Sequence, residues 1–174
     1  MKPRSPSSAA GVAPRLLPPI ISVLFAILSA VPLDIPDYAA VTPDFLLMSV
    51  FHWTLYRPEH LSYLAVFLIG LFFDLLTTAP GATVGVTPLL LLVARWAVLS
   101  SRGIFVGRSF AFVWFGFAIL AAGVAVASWA IATLLTASLL DPRRFAFQAV
   151  LTVALFPALG WVLARLQRAS EAWA

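Results

Sequence analysis

The chain contains no cysteine, and only 10% of its 174 residues are charged. The first absence excludes disulfides, iron–sulfur ligation, thiolate zinc sites and cysteine nucleophiles. The second excludes an ordinary soluble globular enzyme, because such domains carry about 25% charged residues. Here 11 Lys and Arg with 7 Asp and Glu cannot cover a water-facing body of this size. Also missing are a nucleophile elbow, a Walker loop, a His-Glu-x-x-His pair and a glycine-rich dinucleotide fingerprint, so hydrolysis, phosphoryl transfer and hydride transfer have no residues to act through. His52 and His60 lie eight residues apart with Pro58 between them, outside the i, i+3 or i, i+4 spacing a helical ligand pair needs. The expectation is a protein without catalytic residues, metal or cofactor.

What is present is hydrocarbon. Hydrophobic residues make up 62% of the chain and the mean hydropathy is +1.01, so the expected solvent is a bilayer. The net charge of +4 is modest. Its basic residues stand at the edges of apolar segments, which reads as orientation in a membrane and not as nucleic-acid binding.

A hydrocarbon core of about 30 Å needs about 20 apolar helical residues. Six such runs emerge, at about 16–33, 39–56, 61–79, 82–100, 109–139 and 145–164. Between them lie Asp34-Ile35-Pro36-Asp37, Arg57-Pro58-Glu59-His60, Pro80-Gly81, Arg102 to Arg108, and Asp141-Pro142-Arg143-Arg144, all polar or turn-forming. Residues 109–140 hold no charge, too long a stretch for one upright span and too short for two, so a long tilted helix or one with an irregular outer end is expected. Residues 1–14 read as a disordered basic cytoplasmic tail, 15–168 as the transmembrane domain and 169–174 as a cytoplasmic C-terminus. The first run is longer than a signal peptide's apolar region and lacks an Ala-x-Ala end, so it reads as a retained signal anchor.

Positive charge sets the orientation. With the N-terminus inside, Lys2, Arg4, Arg15, Arg57, Arg102, Arg108, Arg165 and Arg168 are cytoplasmic, against Arg143 and Arg144 outside. Trp53, Tyr56, Tyr63, Trp96 and Trp161 then fall near the cytoplasmic interface, as an aromatic belt would.

Intramembrane ionisable groups are the first candidates for function, since an isolated charge there costs several kcal/mol. Asp44 and Asp74 each lie about five residues from the outer end of their run, at a shared depth of roughly 7–8 Å. They either share a proton, accept hydrogen bonds from helix ends freed by Pro43 and Pro80, bind a cationic group or respond to a partner, or serve as polar locks between helices. Arg95 and His52 share a depth toward the cytoplasmic side; they either pair across helices or act separately, as a snorkelling arginine and an interfacial histidine. In the fifth run Gly116, Gly123, Ala130 and Ala137 recur every seven residues, with Ala111, Ala118, Ala125 and Ala132 on a neighbouring line. Small residues allow close approach of a partner helix or of another helix of the same bundle. Pro43, Pro88 and Pro157 fall within or near the start of runs, where they free carbonyls.

Pro43-Asp44-Phe45-Leu46-Leu47, then Arg57-Pro58, then Gly70-Leu71-Phe72-Phe73-Asp74, then Pro80-Gly81-Ala82-Thr83-Val84-Gly85 stand in an order and spacing that resembles the MreD family, bacterial rod-shape-determining membrane proteins. The matching positions are Pro43, Asp44, Gly70, Asp74, Gly81 and Gly85, over about residues 40–95. The resemblance implies a six-span inner-membrane protein, similar in fold to the substrate-binding subunits of energy-coupling-factor transporters. It also implies a non-catalytic role in lateral peptidoglycan synthesis alongside MreC, with MreB, RodA and a penicillin-binding transpeptidase as further partners. Two readings follow: a scaffold whose fifth helix docks a partner's span, or a transporter's substrate-binding subunit with both acids lining an outward pocket.

Overall fold

The computed structural model describes residues 13–30, 42–78 and 84–172, with side chains over 18–30, 42–78 and 84–166. The tail before residue 13, the Asp34 to Asp37 turn and the Pro80-Gly81 turn, Gly81 included, lie outside the described residues. Those residues form six α-helices, α1 (Ala13–Ala30), α2 (Phe45–Tyr56), α3 (Tyr63–Thr77), α4 (Val86–Phe105), α5 (Phe110–Thr136) and α6 (Arg143–Ala172). A single 3-10 turn, Pro58–His60, joins α2 to α3, and no strand occurs among the described residues.

α2 runs through the middle of the bundle, with α1, α4 and α6 packed directly on it. Every residue from Leu46 to Leu55 is buried, the pattern of a helix that is apolar all round and meets protein on every side. Its 12 residues rise only about 18 Å, and the run expected at 39–56 is cut short. Residues 42–44 are not helical, because Asp44 acts as N-cap and turns the chain out of the helix. Such short helices are admissible at membrane depth when surrounded by protein.

α4, α5 and Arg143–Leu166 of α6 are long and apolar enough to cross a membrane by length and composition. α5 resolves the uncharged stretch: one helix of 27 residues ends where Ala137 takes a left-handed conformation, φ 49°. Trp129 then donates its indole N–H to Leu140 O at 2.9 Å and ties the returning strand of chain to the helix. α6 is longer than its expected 145–164 and continues to Ala172.

The centre of α2, α5 and α6 is an aromatic cluster. Phe51 meets Phe117 and Phe156 edge-on with centroids 5.1 and 5.5 Å apart, and Phe117 stacks on Phe156 at 4.1 Å. These rings supply geometry-specific attraction that survives in lipid, where burial between helices gains little. Pro157 removes the amide that would serve Val153 O, and the Trp114 indole N–H takes that place at 2.9 Å.

Candidate functional site

The N-terminal end of α2 carries four amide groups that the helix itself cannot satisfy, and in the buried interior each needs a partner. All four have one. Phe45 N donates to Pro43 O at 2.9 Å, Leu46 N to Ser29 Oγ at 3.3 Å and Leu47 N to Asp44 Oδ1 at 2.8 Å, and the regular ladder then begins with Met48 N on Asp44 O at 3.2 Å. Asp44 N in turn donates to Thr152 Oγ1 at 2.9 Å, and Gln148 Nε2 donates to Thr42 O at 3.0 Å. α1, α2 and α6 are thus locked in register by hydrogen bonds. Beside Asp44 lies a cavity of about 150 Å³ bordered by Ser29, Thr87, Ser128 and Gln148.

Asp74 has a different task. It is buried, and its Oδ2 accepts from Gly85 N at 2.7 Å and Thr87 N at 3.4 Å, so a carboxylate from α3 caps the start of α4. Gly85 sits at φ +113°, a conformation that favours glycine. One turn earlier on the same face of α3, a Cβ on Gly70 would lie 2.7 Å from the Pro88 Cα, so only glycine lets α3 and α4 approach this closely. Gly70, Asp74, Gly85 and Pro88 form a single joint. The two acids therefore serve two different helix ends, and Asp74 does not border the cavity beside Asp44.

At the other end of α2 one basic residue is buried and a second is half-buried. Arg95 is 4% exposed; its Nη1 and Nη2 donate to Thr54 Oγ1 and Pro58 O, both at 3.1 Å, and its guanidinium lies 4.8 Å over the Tyr63 ring. It does not snorkel to the interface. Arg102 Nε donates to Leu55 O at 2.9 Å. His52 does not join this group: two residues from Thr54, about 200° round the helix, it lies against Tyr56, centroids 4.8 Å apart. That face borders a cleft of about 580 Å³ walled by Val113, Phe156, Gly160 and Trp161. Of the expected belt, Tyr56, Tyr63, Trp96 and Trp161 are exposed, whereas Trp53 is core.

The small-residue line on α5 divides. A Cβ on Gly116 would fall into the Phe105 ring, so Gly116 serves packing against α4, whereas at Gly123 the same Cβ meets nothing within 4 Å. Ala130 is half-buried and Ala137 lies beyond the helix end. Ala125, on the neighbouring line, borders a small cavity near Asp44. Only Gly123 of the first line is open.

Reading residue types missed Ser22, Ser29, Ser49, Gln148 and Thr152. A signal was there: Ser22 and Ser29 stand two helical turns apart, and Gln148 and Thr152 one turn apart, each pair on one face. Ser22 and Ser49 share a hydrogen bond of 2.9 Å.

The chain matches the family model for the rod shape-determining protein MreD over residues 12–165. It belongs to the MreD family. The family is one of shape-determining membrane proteins and not a known enzyme family. Of the residues that carry the resemblance, Asp44 and Asp74 are helix caps, and at Gly70 and Gly85 close packing or φ favours glycine. No curated protein and no solved structure matches the chain.

Proposed function

We propose that this MreD-family chain is a non-catalytic scaffold of the bacterial rod complex, binding the span of MreC and supporting lateral peptidoglycan synthesis with MreB, RodA and a penicillin-binding transpeptidase. On this reading all six helices lie in the inner membrane, in an arrangement like that of energy-coupling-factor subunits, with both termini cytoplasmic. Beyond family membership, one observation supports the docking role: Gly123 lies open on α5, between the exposed side chains of Ile119 and Val126. Close approach of a second helix at such a position is a main source of association in lipid.

The test is Gly123→Leu, scored by co-purification of MreC from native membranes in mild detergent. Weakened recovery with unchanged membrane insertion is expected. Undiminished recovery would remove the docking role from this face. The transporter-subunit reading is less favoured by the geometry, since the cavity beside Asp44, at about 150 Å³, is half the roughly 300 Å³ at which small-molecule pockets begin.

A further inference from the structure

We propose that the cleft between α2, α5 and α6 binds one chain of an anionic phospholipid, with the phosphate-bearing head held at its rim by Arg165. The cleft encloses about 580 Å³, well within the range of about 300–1,000 Å³ typical of single-ligand sites. Its lining residues Tyr56, Phe110 and Trp161 are exposed, so it is open to the surroundings of the bundle. Here the proposal rests on the membrane reading above, which puts hydrocarbon at that opening.

The depth fits a chain from one leaflet. The α6 positions that line it run from Phe156 to Ala164, a rise of about 12 Å, close to the roughly 15 Å hydrocarbon thickness of a single leaflet.

Gly160 keeps the space open. It is helical and buried, and the nearest atom to a Cβ there is the Phe110 ring at 3.8 Å, an ordinary contact. Neither backbone conformation nor close helix packing requires glycine at this position, in contrast to Gly85 and Gly70. What the missing side chain preserves is volume. On the opposite wall stand the polar side chains of His52 and Tyr56.

The rim has the charge for a phosphate. The Arg165 guanidinium lies 4.9 Å over the ring of Trp161, which lines the cleft. Stacking holds the planar fork in place and leaves its N–H edge for an anionic oxygen. Of the acids with described side chains, Asp44, Asp74 and Asp141 belong to the opposite end of the bundle; Glu59 shares this one.

The test is native mass spectrometry of the full chain in mild detergent, supplied with equal phosphatidylglycerol and phosphatidylcholine. One phosphatidylglycerol retained per chain is expected. Gly160→Met and Ala164→Phe, which fill the cleft, are expected to lower retention tenfold or more, while Arg165→Gln keeps the adduct and loses most of the preference for the anionic head. Two substitutions are used so that a folding failure in one leaves the other to decide. Equal retention by wild type and both filled variants overturns the proposal, as does displacement by glycerol phosphate alone, which would make the head group the ligand, or recovery of a protein lost only from the filled variants. Failure of the membrane reading shows separately, as a chain that does not sediment with membranes.

Discussion

Toward α4, the C-terminal half of α2 is stitched by guanidinium groups, Arg95 to Thr54 and Pro58 and Arg102 to Leu55; toward α5 and α6 the same half faces phenyl rings and an open cleft. Hydrogen bonds at membrane depth are directional and leave no slack, since an unmade one exposes a polar group to hydrocarbon. Ring packing tolerates a gap. The stitched flank therefore fixes helix register, and the open flank is where the molecule can admit something from the bilayer.

That contrast is broken most severely at Arg95. Arg95→Met removes both charge-assisted bonds and the stacking on Tyr63, leaving Thr54 Oγ1 and Pro58 O without this donor, and is expected to cost about 3 kcal/mol or more. Denaturant titration in detergent measures it. Ala164→Phe on the open flank is expected to change the same midpoint by no more than about 0.5 kcal/mol. Equal losses would mean that the two flanks do not differ.

The joint between α3 and α4 sharpens the comparison at a smaller scale. Asp74→Leu leaves Gly85 N and Thr87 N without their acceptor and is expected to cost about 2 kcal/mol, with Asp74→Asn, which keeps an acceptor oxygen, costing less than half of that. Gly70→Ala drives a methyl against the Pro88 backbone and belongs in the range of about 1–3 kcal/mol for overpacking. Thermal unfolding of the three variants orders them. An Asp74→Asn loss as large as that of Asp74→Leu would show that charge, not capping, is what the site needs.

Legibility followed periodicity. Apolar runs bounded by charge and proline marked α1 to α6, and Gly70 with Asp74 was readable as one turn of one face. The start of α2 was not, because Asp44 reads equally as a residue within an apolar run and as an N-cap, and only the acceptor bond from Leu47 N decides. Arg95 misled for a related reason: hydropathy counts a charge and cannot see that a threonine hydroxyl, a proline carbonyl and a tyrosine ring converge on it. The seven-residue line on α5 mixed two surfaces, since Gly116 is filled by Phe105 and Gly123 is open. Composition cannot separate a small residue that admits a neighbour in the same chain from one that awaits a partner.

The smallest effect is also the most specific. Pro157 leaves Val153 O without its i+4 amide, and the Trp114 indole supplies the missing donor at 2.9 Å. Trp114→Phe is then expected to cost about 1 kcal/mol, near the upper part of the range for single hydrogen bonds between membrane helices. In a Pro157→Ala background the helix regains its own amide at that carbonyl, and Trp114→Phe is expected to cost less by about 0.5 kcal/mol or more. A double-mutant cycle reads the difference directly. Identical costs in both backgrounds would mean that Trp114 contributes by packing alone, and that the carbonyl freed at the wall of the cleft is served by something other than this indole.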